Sequence, residues 1–171
     1  MKRKIEETYV TEALGFPITL RNVSMRQFRG DWVPEINWDR LQEVVMLALA
    51  HKPVPLSGNE VRFVRHFLGL TLKDFAHTCG MSSHQSVMNW ESKEDKPTGM
   101  RKSTEILLRA RILQALPEKL WDRIETTDSS PKESFSQRLH ELSEFDTSHD
   151  SVTLSILPES DRNEELRYRF A

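Results

Sequence analysis

The chain has 171 residues, a formal net charge of −2 at pH 7, a mean hydropathy of −0.56 and a single cysteine. That length holds one domain or two small ones. One cysteine excludes an intramolecular disulfide and a cysteine-based metal site. No apolar run is long enough to cross a membrane or to act as a secretory signal, so we expect a cytoplasmic protein.

The charge is unevenly distributed along the chain. Residues 1–56 carry eight Lys and Arg against seven Asp and Glu, and residues 57–114 carry nine against six. Residues 115–171 carry seven against thirteen. The positive excess therefore falls in the middle of the chain, where it suits contact with a phosphate backbone, and the acidic excess falls in a separate C-terminal segment.

The first third reads as a small α+β module over residues 1–56. Residues 9–11, 16–20 and 23–28 alternate apolar and polar side chains, with Gly15 and Gly30 as breaks, and predict short strands. Asn37 caps a predicted helix over 38–50. Pro53 and Pro55 predict a short extended linker to the next segment. The edge strands of such a module could pair with a second copy.

The middle third predicts four helices. Ser57 and Glu60 have capping-box spacing and begin the first helix, which ends at Gly69. Thr71 caps the second helix. The fourth helix runs from 100 to 116 and ends near a proline. Its predicted buried stripe is Ile106, Leu107, Ala110, Leu113 and Leu116.

The second and third helices are joined by a tight turn at Gly80. Ser82 is the predicted cap of the third helix, and Gln85 completes that box. Val87, Met88 and Trp90 are its predicted inward residues. Two short amphipathic helices around a glycine turn are typical of a helix-turn-helix.

Residues 57–111 resemble the Xre/Cro-type helix-turn-helix family. The matching positions are Arg62, Arg65, Gly69, Leu70, Thr71, Phe75, Ala76, Gly80, Met81, Ser82, Val87, Trp90, Glu91 and Pro97. Leu72 and Asn89 depart from the residues usual in the family, and one extra residue lies between Gly80 and Trp90. The segment is closest to MqsA- and HigA-type antitoxins, although the paired cysteines of a zinc module are absent because Cys79 is the only cysteine.

Candidate DNA contacts follow from this interpretation. Short polar side chains near the start of the third helix suit base edges, and a Gln can bond adenine in two places. The candidate base contacts are Ser83, His84, Gln85 and Asn89. The candidate phosphate contacts are Thr71, Lys73, Lys93, Lys96, Arg101 and Lys102. Each has a plainer alternative as a cap or a solvated side chain, and Arg62 and Arg65 could pair with Glu91 or Glu60 inside the domain.

The C-terminal segment over 117–171 reads as a helical, then acidic, extension. Helices are expected over 117–124 and 135–145, a strand over 152–157, and no structure, except on a partner, from 159 onward. Its apolar residues suit either a contact with a partner protein or packing on the rest of the chain. Deletion of 147–171 distinguishes these alternatives: retained DNA binding with loss of the partner or of the dimer would support the contact role.

Taken together, the sequence predicts a mainly α fold built on a five-helix-type helix-turn-helix domain over 57–116. We expect a sequence-specific DNA-binding repressor that acts as a homodimer on an inverted repeat. An antitoxin that neutralises a toxin and autoregulates its operon, and a protein-only adaptor, are the alternatives. No HExxH, glycine-rich phosphate loop or GxSxG motif is present. We therefore expect no enzyme, catalytic residue, metal or cofactor, and no membrane partner.

Overall fold

The computed structural model describes residues 2–117, 153–158 and 166–170, which form a mixed sheet covered by helices. The elements in chain order are β1 (Arg3–Thr11), β2 (Ile18–Phe28), β3 (Asp31–Pro34), α1 (Trp38–Ala50), α2 (Gly58–Phe67), α3 (Leu72–Thr78), α4 (Gln85–Glu91), α5 (Lys102–Ala115), β4 (Leu154–Pro158) and β5 (Leu166–Phe170).

The sheet is organised around β2, its longest strand. The strand order is β1-β2-β4-β5, and β3 also pairs with β2. β1 runs antiparallel to β2 along nearly its whole length. On the other side, β3 pairs antiparallel with the end of β2, whereas β4 pairs in parallel with its beginning, at Thr19↔Ser155 and Leu20↔Ile156. The C-terminal segment thus lies beside the first hairpin of the chain.

The predicted mainly α fold class is wrong, because five helices accompany a five-stranded mixed sheet in an α+β fold. The expected strand near 152–157 is confirmed as β4, but the expectation of no structure beyond 159 is wrong for β5. The reason lies in burial: Leu154 and Ile156 enter the hydrophobic core and fix β4 on β2. The helix expected over 117–124, from residue 118 onward, and the helix expected over 135–145 lie outside the described residues.

Local signals in the first half of the chain are confirmed. Gly15 and Gly30 have φ values of 93° and 98° and lie in the turns that follow β1 and β2, where residues that tolerate positive φ are favoured. Asn37 Oδ1 accepts a hydrogen bond from Arg40 N at 3.0 Å and starts α1. The strands are longer than expected: β1 begins at Arg3, and the runs predicted over 16–20 and 23–28 form the single strand β2, because β1 and β2 pair along nearly their whole lengths.

One continuous hydrophobic core joins the N-terminal sheet to the helices. It includes Leu20 of β2, Leu49 of α1, Val61 of α2, Phe75 of α3 and Ile112 of α5. The boundary predicted between residues 56 and 57 falls inside this core. The two segments therefore stabilise one another through shared apolar burial.

A buried polar network fixes the segment between α1 and α2. Arg109 of α5 is 1% exposed and donates to Glu105 at 2.7 Å and to the carbonyls of Ala50, Lys52 and Val54. These bonds hold the proline-containing segment in an extended path. The expected linker is thus a braced part of the fold.

The same network continues to the start of α2. Lys52 Nζ lies 2.8 Å from both carboxylate oxygens of Glu60, and Glu60 also accepts from Ser57 N at 2.8 Å. On the α5 side, Glu105 accepts from Leu56 N at 2.9 Å. The capping box predicted at Ser57 is confirmed, and Glu60 has a buried lysine as its counter-ion.

The buried face of α5 differs from the predicted stripe. Leu107 is 37% exposed, whereas Glu105, Leu108, Arg109 and Ile112 are buried. Leu113 and Leu116 of the predicted stripe are buried as expected. Because the ion pair also lies inside, a pattern based on apolar residues alone identifies only part of the buried face.

Candidate nucleic-acid interface

The turn between α3 and α4 is built by backbone capping. Thr71 Oγ1 accepts from Asp74 N at 3.2 Å and begins α3, and Phe75 and Ala76 bury its inner face. At its other end, Gly80 has φ 71° and Met81 N donates to Ala76 O at 2.8 Å. A residue in the left-handed region with this bond pattern is a standard helix stop, so the chain reverses sharply here.

Helix α4 begins later than predicted. Its N-cap is His84, which has a helical backbone and no side-chain capping bond, so the cap expected at Ser82 is wrong. Ser83 Oγ instead accepts from Gln85 N at 3.1 Å, within the turn that precedes the helix. The longer turn of this chain thus places Ser83 and His84 just before α4 rather than inside it.

A buried carboxylate holds α4 against α2. Glu91 is 7% exposed and lies 2.6 Å from Arg65 Nε and 3.4 Å from Arg62 Nε. Its backbone carbonyl also accepts from Arg62 at 3.0 Å. The alternative in which these two arginines pair with Glu91 is thus the one that the fold adopts. Val87 and Trp90 are buried as predicted, which fixes one side of α4, but Met88, also predicted to face inward, is 44% exposed.

The opposite side of α4 presents amide groups to solvent. Ser83, His84, Gln85 and Asn89 are all exposed. Gln85 Nε2 donates to Asn89 Oδ1 at 3.2 Å, so these two side chains point the same way. The bond between them leaves the Gln85 side-chain oxygen as an acceptor and the Asn89 NH₂ group as a donor, and both can hydrogen-bond to base edges.

The loop after α4 is clamped to the beginning of α2. Asn59 N donates to Glu94 O at 2.8 Å, and Gly58 N donates to Lys96 O at 3.2 Å. A Cβ added at Gly58 would lie 2.5 Å from Trp90 O, so only glycine permits this approach. The clamp fixes the backbone that carries Lys93 and Lys96.

The candidate phosphate contacts have mixed surroundings. The side chains of Lys73, Lys93, Lys96, Arg101 and Lys102 are exposed. The Thr71 hydroxyl, however, lies 2.7 Å from Asp74 Oδ2 and donates to it, so its proton is directed at a carboxylate rather than at an anion. Acidic residues also interrupt the lysines after α4, which makes the positive charge of this surface modest.

Three further features concern metal ligands, the single cysteine and membrane-spanning helices. That part of the chain contains no group of three His, Cys, Asp or Glu side chains able to hold a metal ion. Burial raises the pKa of the Cys79 thiol from 9.0 to about 12, so this thiol stays protonated at neutral pH. Within the described ranges, no helix is both long enough and apolar enough to cross a bilayer.

Unlike the pairing of Arg62 and Arg65 with Glu91, the buried ion pair between Glu105 and Arg109 was not predicted from sequence. These two residues stand four positions apart, a spacing that permits an ion pair on a helix. A single sequence does not show which of its charged residues are buried.

No protein-family model matches the chain, and no curated protein or solved structure is significantly similar to it.

Proposed function

We propose that the protein is a cytoplasmic, sequence-specific DNA-binding regulator that inserts the exposed side of α4 into the major groove. The observation that carries the proposal is the two-sided character of α4. Val87, Trp90 and Glu91 seat it in the fold, while Gln85 and Asn89 present a hydrogen-bonded amide pair outward. Amide side chains are the usual readers of adenine in the major groove.

Recognition by this pair is favoured by its preorganisation. The bond between Gln85 and Asn89 restricts both side chains before DNA arrives, so less rotamer entropy is lost on binding. Ser83 and His84 flank the pair in the preceding turn, within reach of the same groove or of the adjacent phosphates. The clamp between α2 and the loop after α4 holds Lys93 and Lys96 beside the same helix.

The small basic excess explains why we propose a homodimer. One short helix and a segment with nine basic against six acidic residues provide few phosphate contacts, and each contact adds to affinity through counterion release. Two copies on an inverted repeat double both the base and the phosphate contacts. The half-site centres would lie about one helical turn of DNA apart, roughly 34–36 Å, or a multiple of it.

The test begins with selection of a binding site from a random duplex pool, because the operator is unknown. The affinity for the selected duplex and for a scrambled duplex is then measured by fluorescence anisotropy at fixed salt. The double variant Gln85→Ala/Asn89→Ala should lose about 2–6 kcal/mol of binding free energy on the selected site, at about 1–3 kcal/mol for each of two base contacts, and almost nothing on the scrambled one. Gln42→Ala/Gln114→Ala, which removes two amides elsewhere, is the matched control.

A second variant separates charge from base reading. Lys93→Ala/Lys96→Ala should weaken binding to both duplexes equally and lower the slope of log affinity against log salt by about 0.9 per lost contact. Failure to enrich any duplex would favour the protein-only adaptor. Selection that succeeds with Gln85→Ala/Asn89→Ala binding the selected site like the unsubstituted protein would reject the role of α4.

A further inference from the structure

Strand β1 forms an edge of the sheet. It pairs with β2 on one side, and no described strand pairs with its other side. It is nine residues long, Arg3–Thr11, and contains no proline. A long edge strand without proline offers a row of backbone donors and acceptors to another strand.

The backbone groups that face outward follow from the ladder with β2. Gln27 N donates to Lys2 O at 3.0 Å, so Lys2 and Gln27 form a hydrogen-bonded pair. Antiparallel pairs alternate between hydrogen-bonded and non-hydrogen-bonded. Lys4 and Glu6 therefore direct their N–H and C=O groups toward β2, whereas those of Arg3 and Ile5 point to the open edge.

The charges of β1 are arranged symmetrically about one apolar residue. Two cations, Arg3 and Lys4, precede Ile5, and two anions, Glu6 and Glu7, follow it. An antiparallel copy of the strand reverses this order. With Ile5 opposite its own symmetry mate, Lys4 lies opposite the second copy's Glu6, and Arg3 lies opposite its Glu7. The two-fold axis repeats both pairs, which gives four cross-strand pairs of opposite charge.

We propose that β1 pairs antiparallel with β1 of a second copy of this chain about a two-fold axis at Ile5, which joins the two sheets into one. The Ile5 N–H and C=O bond those of the second Ile5, in agreement with their outward direction. The Ile5 side chain is 72% exposed in the single chain and contacts its symmetry mate in the dimer. Opposite charges in cross-strand positions stabilise such a pair, and like charges destabilise it.

The register is selected by electrostatics. An axis at Arg3 or Lys4 sets two cations directly opposite each other, and an axis at Glu6 or Glu7 sets two anions opposite each other. Only the axis at Ile5 gives opposite signs at all four charged positions. Lys4 Nζ already lies 2.6 Å from Glu6 Oε2 within one strand, so the dimer forms an alternating ring of four charges on that face.

The role of this contact rests on the proposed function, because a two-fold dimer is what an inverted repeat requires. The pairing itself is measurable without DNA. A single strand pair buries less surface than a standard stable interface, so the free dimer should be weak and should dissociate on dilution. The two halves of the operator then favour the paired state.

The experiment uses two charge-swapped full-length variants and sedimentation velocity over a dilution series. The unsubstituted chain should approach twice its 20.0 kDa mass as concentration rises. Glu6→Lys/Glu7→Lys makes the strand wholly positive, and Arg3→Glu/Lys4→Glu makes it wholly negative. Each variant alone should self-associate at least about tenfold more weakly, since four attractive pairs become repulsive. An equimolar mixture should recover the dimer, because each cation of one variant faces an anion of the other.

Two controls protect this result. Glu12→Lys/Asp31→Lys changes net charge equally at exposed sites off the edge and should keep the self-association of the unsubstituted chain. Ile5→Pro removes an outward N–H that β2 does not use, as tolerated in edge strands, and should give a folded monomer by circular dichroism. Monomers at all concentrations, dimers in both single variants, or no recovery on mixing would overturn the proposal. Selective DNA binding by monomeric Ile5→Pro would leave the α4 assignment standing.

Discussion

Replacement of Arg109 by methionine tests whether the buried network holds the fold together. Arg109 is 1% exposed, is paired with Glu105 and donates to three backbone carbonyls of the segment between α1 and α2. Methionine keeps much of the stem volume but removes every donor. Burial lowers the pKa of the Arg109 guanidinium, and the adjacent Glu105 opposes that shift.

The expected loss follows from what methionine leaves behind. Breaking a buried ion pair by removing one partner costs about 3–5 kcal/mol, because the other charge stays buried without compensation. Glu105 would keep only its bond from Leu56 N, at 2.9 Å. With a urea m-value of roughly 2 kcal/mol per molar, the midpoint of unfolding should fall by about 2 M.

A second substitution identifies the cause. Arg109→Met/Glu105→Gln removes the stranded charge while keeping an acceptor for Leu56 N. The double variant should therefore be more stable than Arg109→Met alone, by at least about 1 kcal/mol. Arg111→Met, which changes an exposed arginine of the same helix, should lie within about 0.5 kcal/mol of the unsubstituted protein.

Equilibrium urea unfolding, followed by tryptophan fluorescence and far-UV circular dichroism, measures all three variants. Coincident transitions would justify a two-state treatment. If Arg109→Met lost less than about 1 kcal/mol, the pairing would not be a major source of stability. If the double variant were less stable than the single one, the stranded Glu105 charge would not be the cause.

Two further predictions concern the clamp and the turn. Gly58→Ala should lower the free energy of unfolding by about 1–3 kcal/mol, because the new Cβ would lie 2.5 Å from Trp90 O and 2.7 Å from Glu94 N; a gain in thermal stability, as helix propensity alone would give, would contradict this. Burial raises the pKa of Cys79 to about 12 from 9.0, so the protonated thiol's contribution is fully present below pH 9 and is lost as the pH rises toward 12. In urea titrations, the free energy of unfolding of the unsubstituted protein should therefore fall relative to that of Cys79→Ala between about pH 8 and pH 10.5. A difference that stays constant over this range would refute the raised pKa of Cys79.

The elements most accurately predicted from the sequence are those encoded by local chemistry. Asn37, Ser57 and Thr71 each cap the helix expected to follow them, and Gly80 forms the expected turn. Such caps depend on contacts three residues apart, which a single sequence displays directly. The cap predicted at Ser82 is wrong because the longer turn delays the start of α4 to Gln85, so that His84 is the N-cap.

The sequence pattern could not predict which distant segments of the chain contact each other. The pairing of Leu20 with Ile156 depends on distant parts of the chain meeting, and nothing in either local stretch names its partner. The burial of the charged residues of α5 was not predicted for a related reason, because Arg109 donates to backbone carbonyls that are distant in sequence. For the C-terminal segment, the alternative of packing on its own chain holds for Leu154 and Ile156, so deletion of 147–171 would damage the sheet as well as any partner contact.

The parallel pairing of β2 with β4 has a consequence for synthesis on the ribosome. β2 emerges early, yet the strand that covers one side of its first half emerges only after every described helix has been made. Pairings between such distant segments form slowly, and an uncovered strand can meet other nascent chains in the interval. Thr19 and Leu20 thus lack their β4 partners until that part of the chain has been synthesised. Pairing with β4, rather than formation of the helices, should be the step that covers this side of β2.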